Sequence, residues 1–266
     1  MPEEAQDDRY KRTDQTLCPL LKTTVARYEE VIRQAEEQGW GYPEFLATVL
    51  AREISHREES SLKRRLNLAR FPLQKSLDDF DFRALPQLEE ALVWQLATGE
   101  FVERRENIIM IGNPGTGKTH LSIGLGRRLC QKGYKVRFYT AANLVLELGE
   151  AQQERRLGRL ERALAKVDVL IVDELSYLTF SRPQAELLFH VLSERNERGS
   201  VIVTTNLEFS RWNEIFPDPM MTAALVDRLT HHAYILDMNG ESYRLKQRLK
   251  RASSENVGIL QGGDTV

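Results

Sequence analysis

Cysteine is scarce in this chain: Cys18 and Cys130 stand far apart and in no metal-ligand spacing, which excludes a disulfide framework and a cysteine-held metal. Long apolar runs are missing as well. The longest, such as residues 169–172, are strand-sized, so no membrane-spanning helix is expected, and the acidic residues 1–8 lack the charged-then-apolar pattern of an export signal. A reducing cytoplasm is the expected location. There is no excess of charge of one sign. With 37 Lys and Arg against 39 Asp and Glu the formal net charge is −2, so any polyanion binding must come from local patches. What is present, 41% apolar and 29% charged residues in a chain of 266, suits a soluble protein with one large domain, or a nucleotide-binding domain plus a small appendage.

The chain is organised around Gly112-Asn113-Pro114-Gly115-Thr116-Gly117-Lys118-Thr119. Gly112, Gly117, Lys118 and Thr119 have the spacing of a phosphate-binding loop. Glycines let backbone amides curl around a polyphosphate at a helix N-terminus. Lys118 is placed to neutralise the β- and γ-phosphates, and Thr119 to set its hydroxyl on Mg²⁺. The context agrees, because residues 107–111 before the loop predict a buried strand and residues 118–131 after it a helix stopped by Gly133.

Ahead of the loop, apolar spacing predicts a helix over 16–38, a second from Pro43 to near Ala69 through Phe45, Leu46, Val49, Leu50 and Ile54, and a third over 85–97. The second ends in a basic cluster containing Lys63, Arg64 and Arg65, which either grips phosphates or is a solvated helix face offset by Glu53, Glu58 and Glu59. Residues 71–86 break periodicity, yet Phe71, Leu77, Phe80 and Phe82 are too apolar for a free tether. They are expected to dock, either on the adenine face of the nucleotide site or in the core. After the loop, strands at 135–139, 167–172, 200–204 and 232–236 alternate with helices at 142–150, 153–165 and 183–196. Alternation of this kind predicts an α/β fold with a parallel sheet flanked by helices on both faces.

The most apolar strand ends in Asp173 and Glu174, placing one carboxylate to hold Mg²⁺ and a second to polarise an attacking water. The next strand ends in Thr204-Thr205-Asn206, whose amide either orients that water or serves a turn. Arg228 offers a permanent charge for the transferred phosphoryl group; a surface ion pair with Asp227 or Asp218 is the plainer alternative. Arg244, in a strongly basic final segment, is a second nucleotide-sensing candidate.

Taken in order, the phosphate loop with His120 behind it, Asp173-Glu174-Leu175-Ser176-Tyr177-Leu178, the Thr-Thr-Asn strand, Asp227-Arg228-Leu229 and Gly240-Glu241-Ser242-Tyr243-Arg244-Leu245-Lys246 resemble the AAA+ ATPases of the clade containing the DnaC helicase loader. More closely they are similar to the IstB-like helper ATPases encoded beside the transposase of bacterial insertion sequences. Further matches are Arg70-Phe71-Pro72 running into residues 77–82, and Gly158-Arg159-Leu160. The resemblance implies a small N-terminal helical domain at 1–70, an AAA+ domain at 71–251 that includes the docking linker 71–86, and a tail at 252–266. It implies nucleotide contacts from Gly112, Asn113, Pro114, Gly115, Thr116, Gly117, Lys118, Thr119, His120, Asp173 and Arg244, catalysis by Glu174 and Asn206, and an arginine finger in Arg228 supplied to the neighbouring subunit.

The implied cofactors are ATP and Mg²⁺. The implied partners are duplex DNA, a transposase encoded by the same element and further copies of the chain. Arg155, Arg156, Arg159 and Arg162 recur at helical spacing and are a candidate DNA surface, since a patch repeated around an assembly adds up along a phosphate backbone. A helicase loader is the alternative function, and a small-molecule kinase a third, disfavoured because it needs a substrate pocket in place of an intersubunit arginine.

Overall fold

The computed structural model describes residues 22–177, 179–243 and 248, without the side chains of residues 22–28. The start of the helix expected from residue 16, the tail 252–266 and Arg244 lie outside the described residues. The chain forms two compact units that divide between Arg64 and Arg65.

The first unit holds α1 (Lys22–Gln38), closed by Gly39 at φ 65°, and the greater part of α2 (Tyr42–Ala69), which crosses the division. Val31 is buried, and Arg52 donates to Gln34 Oε1 at 2.5 Å to tie the two helices. The apolar positions of α2 do not all turn inward. Phe45 and Val49 are half-buried, while Leu46, Leu50 and Ile54 are 57%, 48% and 56% exposed, because among the described residues of this unit one partner helix covers only one stripe of α2.

The second unit is built on five parallel strands: β1 (Asn107–Ile111), β2 (Val136–Thr140), β3 (Val169–Asp173), β4 (Ser200–Thr205) and β5 (Ala233–Asp237), in the order β2-β3-β4-β1-β5. A sheet of parallel strands is covered on both faces and reads as continuous apolar runs. Ile108, Ile109, Met110 and residues 169–172 and 201–203 are accordingly at or near zero exposure. The covering helices are α3 (Glu90–Leu96), the single turn α4 (Glu100–Glu103), α5 (Lys118–Lys132), α6 (Ala141–Gln153), α7 (Leu157–Ala165), α8 (Arg182–Glu194) and α9 (Pro219–Thr230).

Local chemistry sets their ends. Thr140 accepts from the Asn143 amide at the start of α6, and Asp218 caps α9 through the Met220 and Met221 amides with Pro219 in its first turn. Gln184 Oε1 closes a capping box on Ser181 at the head of α8. The helix expected over 85–97 is shorter, since the chain around Pro86 makes turns that bury Leu85 and Leu88 before α3 begins. The helix expected over 153–165 is also broken. Arg155 takes φ 55°, so Arg155 and Arg156 occupy a turn between α6 and α7, and only Arg159 and Arg162 share a helix.

The linker docks on α5, the helix of the phosphate loop. Leu77 is buried, and a Cβ on Gly124 would stand 3.0 Å from the Leu77 nitrogen, a separation that admits only glycine without displacement. Phe71 packs against Phe138 at 6.3 Å between rings, Asp78 pairs with Arg128 at 2.6 Å, and Phe80 stacks edge-on against Phe82 and His120. Among the described residues no helix is long and apolar enough to cross a membrane.

Candidate functional site

Strand order assembles the site. The loop leaves β1, whose neighbour is β4, and β4 in turn lies beside β3, so the ends of β1, β4 and β3 come together where an open parallel sheet binds its ligands. Gly115 and Gly117 take φ values of 84° and 99°, curling the loop into the head of α5. Thr116 braces it by donating to the Asn113 carbonyl at 2.9 Å. Lys118 is buried, and its Nζ donates to the carbonyls of Gly112 at 2.6 Å and Asn113 at 2.7 Å, which holds the ammonium beneath the loop. Backbone amides at a helix N-terminus with a cation below them form a cradle for a polyphosphate.

Thr119, the next residue of α5, donates toward Asp173, 2.9 Å from Oδ2 and 3.2 Å from Oδ1. Asp173 is 2% exposed, and burial pushes its pKa up, opposed by the hydroxyls of Thr204 and Thr119. Hydroxyl and carboxylate oxygens side by side are the hard donors that Mg²⁺ prefers. Glu174 is exposed and held at φ 58°, a conformation that non-glycine residues adopt only when their surroundings over-determine it. Here its amide donates to Thr204 Oγ1 at 2.9 Å. Asn206 stands exposed at the end of β4 with its amide donating to Ser176 Oγ at 2.8 Å.

Other expected residues sit elsewhere. His120 makes contact with the linker, its Nε2 lying 2.8 Å from the Ser76 carbonyl. Arg228, exposed in the last turn of α9, lies over the Phe189 ring of α8 at 5.3 Å, while Asp218 caps α9 and approaches Arg182. In the basic cluster, Lys63 and Arg64 are exposed, whereas Arg65 is half-buried and donates through Nε to the Cys130 carbonyl at 2.8 Å. Arg155, Arg156, Arg159 and Arg162 are exposed, and Arg156 is paired with Glu154.

Two features escaped sequence reasoning. Thr204 lies between the two acids, a position that the period of two along a strand would have suggested from Asn206. The segment after β5 crosses the loop: Tyr243 donates its amide to the Gly115 carbonyl at 3.0 Å, Asn113 Nδ2 reaches the Gly240 carbonyl at 3.4 Å, and Ser242 packs on Gly115. Only the motif Gly-Glu-Ser-Tyr hinted at it.

A phosphate loop on β1 of a five-stranded parallel sheet, with paired acids ending β3, defines a P-loop NTPase of the AAA+ class. Its architecture is similar to that of DnaI (TM-score 0.52, 19% identity, covering 62% of this chain and 90% of that one) and of AMPPCP-bound DnaA from Aquifex aeolicus (TM-score 0.53, 17% identity, 68% and 56%). The sequence is more specific. The profile of the IstB-like ATP binding protein family matches residues 19–251, and the chain belongs to that family. Relatives include a Pseudomonas aeruginosa protein whose name assigns it to ATP binding in insertion sequence IS21, 41% identical over 238 residues that cover 89% of this chain and 90% of the relative. A Geobacillus stearothermophilus protein named for the same role in insertion sequence IS5376 is 38% identical over 228 residues, covering 86% and 91%.

Proposed function

We propose that this chain hydrolyses ATP with Mg²⁺ and uses the cycle to assemble on duplex DNA, remodel it and recruit and stimulate the transposase of its own insertion sequence. The observation that carries the reading is the continuous chain from Thr119 through Asp173 and Thr204 to Glu174 at the mouth of the phosphate loop. Thr119 and Asp173 supply oxygen ligands for the metal, and bound Mg²⁺ would neutralise charge on the phosphates. Glu174 polarises the attacking water, Asn206 orients it, and Lys118 holds the phosphates. Arg228, exposed and away from its own loop, is free to serve a neighbouring subunit in an ATP-bound homo-oligomer. Arg155, Arg156, Arg159 and Arg162 are the DNA contacts of the second unit, and Lys63 and Arg64 are separate contacts on the first.

The test is the mass of the protein by light scattering with and without duplex DNA, in ATP plus Mg²⁺ and in ADP, alongside ATP turnover. Large assemblies specific to ATP and DNA, retained by Glu174→Gln and lost in Lys118→Ala, are expected. A small species in every condition would sink the assembly reading, and capture of a replicative helicase in place of the transposase would move the function to helicase loading.

A further inference from the structure

At its end β3 keeps its ladder to β2, where Asp173 stands opposite Thr140, but loses the ladder to β4. Pairing of β3 with β4 extends to Val172 and Val203, and beyond that point three successive residues are gripped by one side chain and its own backbone. The Thr204 hydroxyl donates to Asp173 Oδ1 at 2.6 Å and accepts the Glu174 amide at 2.9 Å, while the Thr204 carbonyl accepts the Leu175 amide at 2.9 Å. Thr204 is 1% exposed, so no water competes for these bonds. Glu174 meanwhile sits at φ 58°, where a residue with a Cβ is strained.

We propose that Thr204 is the positioning residue of this site, a single hydroxyl that, anchored on the Asp173 carboxylate, holds Glu174 in the left-handed conformation that aims its side chain at the phosphates. The inference rests on the ATP hydrolysis reading above. A hydroxyl suits the task because one oxygen both donates and accepts, so one group ties two neighbouring residues of opposite hydrogen-bonding need. Without it the Glu174 amide loses its partner, the backbone relaxes toward negative φ, and the carboxylate turns away from the water it should polarise. Nucleotide binding, carried by the loop and Lys118, stays.

Steady-state turnover and binding of a fluorescent ADP analogue are compared for the wild type, Thr204→Val, Thr204→Ser, Glu174→Gln and Thr204→Val combined with Glu174→Gln. Valine keeps the shape and removes the hydroxyl. It is expected to lower kcat about 10- to 100-fold, the range for misplacing a reacting group, with analogue affinity within about threefold of wild type. Serine restores turnover, and the double variant is no slower than Glu174→Gln alone, because Thr204 acts through Glu174.

Thr204→Ala, which fits the same space with room to spare, carries the same expectation if the valine protein is insoluble. Wild-type turnover in the hydroxyl-free variants, failure of serine to restore it, or multiplicative loss in the double variant would overturn the positioning role. A wild type no faster than Glu174→Gln would overturn the hydrolysis reading, and the positioning role with it.

Discussion

The two ends of the central sheet each bury a charged group, and they treat it in opposite ways. At the end bearing the phosphate loop, Asp173 is held by two threonine hydroxyls, Thr119 from α5 and Thr204 from β4. At the other end, Arg195 follows α8 and turns its guanidinium under the sheet, donating to the carbonyls of Leu164 at 2.9 Å, Val167 at 3.0 Å, Asp168 at 3.1 Å and Ser200 at 3.0 Å. That one side chain ties the end of α7 to the starts of β3 and β4, while Asp168 accepts the Lys135 amide ahead of β2. Burial pushes the Arg195 pKa down to about 10, which leaves the group charged at neutral pH. A cation surrounded by main-chain carbonyls has nothing to exchange. A carboxylate held by hydroxyls can trade them for a metal, because each hydroxyl can rotate to another acceptor. One end is built as a fixture and the other as a socket.

If that contrast holds, the largest loss of stability should come from the fixture. Arg195→Ala strands several buried carbonyls at once and is expected to destabilise the second unit by about 3–5 kcal/mol. Urea unfolding monitored by circular dichroism measures it. Arg195→Lys should recover less than half, since an ammonium lacks the planar fork that reaches separate strands. A loss below about 1 kcal/mol, the ordinary scale of one hydrogen bond, would mean that this end is held by something else.

A medium effect is expected where the linker meets the loop helix. Gly124→Val places bulk where the Leu77 backbone now lies, so the linker must lift, at about 1–3 kcal/mol for overpacking. Limited proteolysis should then cut within residues 71–86, and unchanged resistance would show that the linker is anchored mainly by Phe71 and Phe80.

The smallest effect belongs to the socket. A raised carboxylate pKa in the folded state means that Asp173 contributes most to stability while protonated, and that this contribution is lost as pH rises through the folded value. Asp173→Asn, assayed without nucleotide or Mg²⁺, should therefore raise Tm by a few degrees at neutral pH, with the gain vanishing as pH falls below the ordinary carboxylate range. A lowered Tm at neutral pH would reverse the assignment of the two ends.

How much of this was legible in the sequence depended on distance along the chain. The phosphate loop, its helix and the Asp-Glu strand end were readable because their chemistry is written in contiguous residues, and β1 and α5 fall within a residue of expectation. The Thr204 grip and the Arg195 tie were not, since both join residues that only the order β2-β3-β4-β1-β5 makes neighbours. Alternation of strand and helix predicts a parallel sheet without its order. The break in the α6–α7 stretch was expected at 151–152 and falls at 154–156, a displacement without signal because Arg155 adopts a left-handed conformation without glycine or asparagine to announce it. The spacing of Leu46, Leu50 and Ile54 predicted the helix α2 and not their exposure, since periodicity shows that a face is apolar and is silent on what covers it.

The glycines of the phosphate loop have a further consequence. A Cβ on Gly112 would stand 2.2 Å from the Met238 carbonyl oxygen, one on Gly115 2.3 Å from Ser242 Oγ, and one on Gly117 2.9 Å from the Phe80 ring. Two separate lengths of chain, the segment after β5 and the linker, therefore cross at the loop, and its glycines are required by the protein's own packing as much as by a polyphosphate. A descendant of this chain that had stopped using nucleotides would keep them as a fossil of the fold, while Lys118 and Thr119 drifted. Among its relatives, the lysine and the threonine therefore distinguish a working site from an inherited shape.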